Sequence, residues 1–412
     1  MEKNKLPIFL SHLRLFLISG LLLTGQNTPA QDISKVNQAQ VYDINAEARI
    51  DYSIISNDPE TIIYMKVITD NPTDFMDDYT IGYQVKERYN NIQPSFTTLS
   101  STDLINSGGP LIFNITLPAT SEEMLCAIKI TNTGTKRDFY YDIPIRNKAS
   151  FNYPGFYLKN AADDLPVFNH YLSTDASLKF ASQQNTQKIF GFRYTADFDA
   201  ALPPMAQKAP AGNKLMTIDS VFQIDVDKAF TLSQEGLYFF QEDTTKLEGL
   251  AYRVSNRYFP RFVRIEDLSD PIVYLSTRLE FKSLNNSEEK KKAMDSFWIK
   301  IAGTREKAKR IIRNYYRSVE LANKMFTNYK AGWKTDQGMI YIIYGPPEEV
   351  YRNEFEEIWI YDRKENMSKI KFTFTKVKSI FTKKHYELNR DKSYEKYWYR
   401  IIDLWRKGRK GI

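Results

Sequence analysis

Tyr79-Thr80-Ile81-Gly82-Tyr83-Gln84-Val85-Lys86 is the stretch on which the fold turns. Tyr79, Ile81, Tyr83 and Val85 fall on one face of an extended chain and Thr80, Gln84 and Lys86 on the other, the period of two that marks a half-buried strand. Leu111, Phe113, Ile115 and Leu117 repeat the device. Further runs near 48–56, 61–69, 95–99, 124–131 and 138–145 bring the count to about seven, as an immunoglobulin-like sandwich requires. Asn132-Thr133-Gly134 supplies the last hairpin turn. The single cysteine, Cys126, shares a face with Met124, Ile128 and Ile130 and reads as a small buried hydrophobe rather than a reactive thiol.

Upstream, Lys3, Lys5 and Arg14 precede the apolar run 15–23, which is too short to span a bilayer, since that takes about 20 apolar residues. Thr28 and Ala30 then sit at −3 and −1 of a peptidase site before Gln31. This pattern predicts a cleavable secretory signal over residues 1–30, the alternative being an uncleaved anchor. No cysteine follows the run to carry lipid, and no second run of membrane length is present. The 412 residues, 42% hydrophobic, 14% aromatic and 26% charged, describe a folded chain of two or three domains. One cysteine leaves no internal disulfide, so stability rests on burial, to which 27 Tyr and 26 Phe contribute.

Downstream, a second strand-rich stretch, residues 149–265, follows the first sandwich, residues 31–148. Strands are expected near 178–182, 189–194, 214–226, 236–241 and 247–254, making a second antiparallel sandwich. Residues 200–213 (AALPPMAQKAPAGN) carry prolines that cannot donate ladder hydrogen bonds, so an exposed loop is expected there, a connector or a binding loop.

The pattern changes over residues 266–412. Asp270-Pro271 reads as a helix start, Ser287-Glu288-Glu289 as a second, and Gly303-Thr304 as a break and restart. Ala308, Ile312, Tyr315, Val319, Ala322 and Phe326 then form one apolar stripe of a long helix that packs on an intramolecular neighbour. Residues 338–344 (GMIYIIY) are a near-continuous apolar run, read as a strand covered on both faces and stopped by Gly345-Pro346-Pro347. Residues 357–361 (EIWIY) and 369–376 (KIKFTFTK) read as a strand pair. The predicted fold is therefore multidomain, mostly β, with a C-terminal α+β domain of helices on a small antiparallel sheet.

Gly332-Trp333-Lys334-Thr335-Asp336, Gly338, Gly345-Pro346-Pro347-Glu348 and the Trp359 to Tyr361 strand, with the lead-in Ala322-Asn323 and Phe326, make a specific constellation. It resembles the GWxTD domain-containing family of exported Bacteroidota proteins, over at least residues 287–408. The resemblance implies an exported protein, with no activity attached. As fold analogy alone, two helices, a Gly-Pro-Pro turn and a hairpin also resemble small lipoproteins of outer-membrane-protein assembly. Physically, Gly332 is expected to end the long helix at positive φ, Trp333 to bury its ring over the junction, and Thr335 and Asp336 to accept backbone hydrogen bonds as the chain reverses. That makes the word a folding corner, with a ligand or partner site as the alternative.

Catalytic patterns are scarce. His12, His170 and His385 are scattered, giving no paired-imidazole metal site, and no nucleophile elbow, phosphate loop or HExxH word occurs. Glu348, Glu349, Glu354, Glu356 and Glu357, with Asp336, offer carboxylates for a glycan hydrolase or a calcium site, though solvated charges are the ordinary reading. No cofactor or metal is expected. Residues 363–412 hold sixteen Lys and Arg against five Asp and Glu, net +11, within an overall +7. Tyr394, Trp398, Ile401, Ile402 and Trp405 alternate at helical spacing with Lys396, Arg400, Arg406 and Lys407. Those four cations are candidate contacts to lipid headgroups or anionic polysaccharide, unless the aromatic stripe packs inward. The expected role is a non-catalytic one at the cell envelope, docking to an envelope protein or surface assembly. Glycan binding or hydrolysis is the alternative, and nucleic acid is not an expected partner.

Overall fold

The computed structural model describes residues 31–409, apart from 58, 106–109, 120–121, 147–151, 183, 196–197, 208–215 and 363–368. The expected signal therefore lies outside the described residues. The first seven strands are β1 (Arg49–Asn57), β2 (Glu60–Ile68), β3 (Tyr79–Lys86), β4 (Thr97–Leu99), β5 (Leu111–Pro118), β6 (Met124–Asn132) and β7 (Asp138–Arg146), with a one-turn helix α1 (Phe75–Asp78) before β3. They form two antiparallel sheets ordered β1-β2-β5 and β4-β3-β6-β7. The inward positions that alternation singled out meet between them: Ile81, Phe113, Ile115, Cys126, Ile128 and Ile130 are buried in one core. Burial pushes the Cys126 thiol up to about 12, as expected of a small hydrophobe. At the β6–β7 hairpin the Asn132 side chain accepts from the Gly134 and Thr135 amides.

The next strands are β8 (Phe156–Asn160), β9 (Tyr171–Ser173), β10 (Leu178–Ser182), β11 (Lys188–Tyr194), β12 (Ile218–Asp225), β13 (Gly236–Gln241) and β14 (Leu250–Ser255). A pair, β10-β8, faces a five-stranded sheet, β12-β11-β13-β14-β9. Two features differ from the sequence reading. β8 and β9 were not anticipated, because short strands flanked by loops carry little periodicity, and β9 runs parallel to β14, so this unit is not purely antiparallel. β8 faces two ways. Phe156 and Leu158 enter the core of its own unit, while Tyr157 packs on Ile55, Ile62 and Tyr64 of the first sandwich.

The remainder holds α2 (Ile265–Ser269), α3 (Arg278–Asn285), α4 (Lys290–Ala302), α5 (Arg305–Phe326), α6 (Asp336–Tyr344), β15 (Glu349–Arg352), β16 (Glu356–Tyr361), β17 (Ile370–Lys376), β18 (Tyr386–Leu388) and α7 (Glu395–Arg406). The helices begin at Ile265, earlier than the proline signal suggested, and Asp270-Pro271 opens a 3-10 turn directly after α2. Gly303, at φ 80°, ends α4, and the Thr304 side chain caps α5 by accepting from the Lys307 amide. The stripe of α5 is buried at Ala308, Tyr315, Val319, Ala322 and Phe326 as expected, with Ile311 rather than the half-buried Ile312 completing it. β15 to β18 form a four-stranded antiparallel meander.

Residues 338–344 are the main correction. They are helix, in α6, and all nine residues of α6 are buried. A run apolar on every side suits a core helix as well as a two-faced strand, and the outcome is decided by what precedes it: Thr335 caps the first turn. The 200–213 loop also differs from expectation. Pro204 is buried, and Ala200, Ala201 and Met205 pack against the C-terminal core. The Leu202 and Pro204 carbonyls accept from the Arg390 side chain and the Asp391 amide. Residues 208–213 of that loop lie outside the described residues. At the other end, the segment before β1 crosses to the C-terminal sheet, where the Gln38 amide donates to the Val350 carbonyl and Tyr42 packs on Phe326 and Trp359.

Candidate functional site

The corner that joins α5 to α6 is built from backbone in close approach. α5 ends at Phe326, so Gly332 does not cap it as expected; Gly332 instead opens a 3-10 turn, Gly332–Lys334. Glycine is required there for space: a Cβ on Gly332 would lie 2.0 Å from the Ala322 carbonyl oxygen, and one on Gly338 would lie 1.9 Å from the Gly332 carbonyl oxygen. The Thr335 hydroxyl donates to the Gly332 carbonyl at 2.7 Å and accepts from the Gly338 amide at 2.9 Å, closing the turn and capping α6. Asn323 holds the other side with its side chain, Oδ1 accepting from the Trp333 amide at 3.0 Å and Nδ2 donating to the Pro260 carbonyl. Trp333 is 3% exposed, as its size predicts, and its carbonyl accepts from the Tyr274 hydroxyl.

Asp336, which the sequence left without a partner, has two. Its carboxylate accepts from the Leu388 amide at 2.7 Å and from both terminal nitrogens of Arg390, at 3.1 and 2.5 Å. The first residue of α6 is thereby bound to the last strand of the sheet. Arg390 is 54 residues away in sequence, and no local spacing signal joins the two.

At the far end of α6, Gly345 takes φ 86° and its carbonyl accepts from the Tyr361 hydroxyl at 2.9 Å. Pro347 is buried, whereas Glu348 is exposed and accepts from the Asp362 amide. Trp359 is fully buried and donates its indole N–H to Glu357 at 2.6 Å. Glu357, grouped with solvated charges in the sequence reading, is 0% exposed and lies 3.3 Å from Arg352, which also pairs with Asp142 of β7 at 2.8 Å. This buried triad ties the first sandwich to the C-terminal sheet. Burial lowers the Arg352 guanidinium, but the carboxylates of Asp142 and Glu357 together hold it well above its ordinary value.

Residues 236–407 match the profile of the GWxTD domain. The chain carries a GWxTD domain over these residues. The GWxTD match starts at the first residue of β13, so it takes in the last two strands of the second unit as well as the helices and meander. No curated protein matches the chain.

The basic tail of the GWxTD domain divides into two faces. Trp398, Ile401 and Trp405 of α7 are buried, and the Trp405 indole donates to the Ile343 carbonyl at the end of α6. Arg406 is a correction to the anionic-surface set: it turns inward and grips Glu280 with two nitrogens at 2.9 and 3.0 Å. The Arg406 hydrogen bonds hold the Glu280 carboxyl down at about 2, against the partial burial that raises it. Lys396, Arg400 and Lys407 are exposed, with Tyr399 56% exposed among them. Of the histidines, His170 is pushed down to about 3 by burial, with Lys384 adding to the effect, and His385 packs edge-on against Tyr329. Among the described residues no group of three His, Cys, Asp or Glu side chains is placed to hold a metal ion, and no helix is long and apolar enough to cross a membrane.

Proposed function

We propose that this GWxTD protein is exported by its N-terminal signal and acts in the cell envelope as a non-catalytic docking module, engaging an envelope protein or surface assembly through its C-terminal domain. One observation carries the reading. The polar groups of the corner are buried within the fold, Thr335 as a cap and Asp336 with Arg390, whereas α7 leaves Lys396, Tyr399, Arg400 and Lys407, the last paired with Asp403, on a solvent-facing side. A carboxylate held by a guanidinium and a backbone amide supports shape more readily than proton transfer. A cationic face with a central tyrosine suits an acidic partner surface. The test compares pull-downs from envelope extracts using the mature chain and a Lys396→Glu, Arg400→Glu, Lys407→Glu variant. Loss of the captured partners in the variant supports the reading, and an unchanged set overturns it. Cell fractionation with sequencing of the mature N-terminus checks export, which requires a new terminus at Gln31.

A further inference from the structure

Where the first sandwich, the 168–171 loop and the GWxTD domain meet, a cleft of about 430 Å³ opens. Its floor is buried, at Tyr42, Asp142, Phe326, Thr327 and Gln337, and its rim is exposed at Pro72, Asn169 and Lys324. Small-molecule sites fall at about 300–1,000 Å³ and favour interfaces between units. The floor also touches the corner, since Gln337 follows Asp336 in α6.

The charges of this cleft do not balance. Arg352 is paired with Asp142 and Glu357, and Lys324 with Glu320. That leaves three lining cations, Arg49, Lys66 and Lys384, against one lining carboxylate, Asp51. Among the described residues, neither Lys384 nor Lys66 makes an ion pair, although Asp51 stands across the β1–β2 ladder from Lys66; Lys384 lies 4.8 Å from the centre of the Tyr52 ring and Lys66 6.0 Å from that of Phe168. A ring face offers an ammonium far less than a counter-ion does once water is partly excluded. Burial accordingly lowers the Lys384 ammonium from its ordinary value, with Asp51 opposing the effect.

We propose that this cleft binds a small acidic sugar, its carboxylate set between Lys384 and Lys66, its ring against the tyrosine and phenylalanine walls, and its hydroxyls toward Asp51 and Asn169. Size, surplus positive charge and aromatic walls select that chemistry together. The site is separate from the exposed face of α7, so its failure leaves the docking reading standing, and the converse holds. Isothermal titration of the mature protein with D-glucuronate, D-glucose and acetate provides the test. Saturable binding is expected for glucuronate alone, weakened about tenfold or more in Lys384→Met and in Lys66→Met, each ~1.4 kcal/mol or greater. The two lysines stand on different units, so a variant that fails to fold leaves the other informative. No glucuronate binding, equal binding of acetate, or unchanged affinity in a folded variant overturns the proposal.

Discussion

The corner at 332–345 and the terminal helix α7 both bury tryptophan against the same core, yet they are held in different ways. The corner depends on backbone meeting backbone, with two glycines where no Cβ fits and a carboxylate locked by a guanidinium. α7 is an amphipathic helix docked by side chains, with one hydrogen bond from Trp405 and an ion pair at its end. Backbone contacts leave no room to relax, whereas a docked helix can shift by fractions of an ångström. The first region should therefore be intolerant of change and the second graded in its response.

Five substitutions sharpen that contrast. Gly332→Ala or Gly338→Ala places a methyl within about 2 Å of a carbonyl oxygen, an overlap expected to cost more than about 4 kcal/mol and to prevent cooperative unfolding in a denaturant titration. Asp336→Ala leaves Arg390 half-buried without its partner and should cost about 3–5 kcal/mol by the same measurement. Arg406→Ala removes two hydrogen bonds from Glu280, which keeps that of the Thr277 amide, and should cost about 1–3 kcal/mol. Thr335→Ala removes the cap of α6 and should cost about 1–2 kcal/mol. A Thr335 loss larger than that of Gly332 would break the comparison.

The Glu280 pair adds a pH dependence. Its folded carboxyl is depressed to about 2, below an unfolded value of about 4.3. The stabilisation is complete above the unfolded value and is lost as pH falls through about 2. Chemical denaturation of the wild type and Glu280→Gln should show a stability difference at pH 7 that shrinks steadily between pH 4.5 and 2.

The first sandwich was legible because strict alternation distinguishes a half-buried strand from any helix, as at Tyr79–Lys86 and Leu111–Pro118. The stripe of α5 was legible for the matching reason at a period near 3.6. The run 338–344 was not, since continuous hydrophobicity fixes burial and leaves the conformation open. Within the candidate site, the role of Trp333 and the turn-closing hydroxyl of Thr335 followed from residue type. The partners of Asp336 and Glu357 did not, because Arg390 follows β18 and Arg352 ends β15, and the local sequence leaves the placement of both strands unspecified.

By itself the sequence determined which apolar faces of the first sandwich and of α5 are buried, where helices break at Gly303-Thr304, and that 332–338 forms a tight corner, because those are consequences of periodicity, side-chain volume and the freedom of glycine. Only the tertiary structure decided that α6 is a helix, that Asp142, Arg352 and Glu357 form one buried triad between units, and that Lys66 and Lys384 face a common cleft. Each of those depends on groups far apart in the chain, and long-range pairing is set by the packing of whole elements rather than by any local preference.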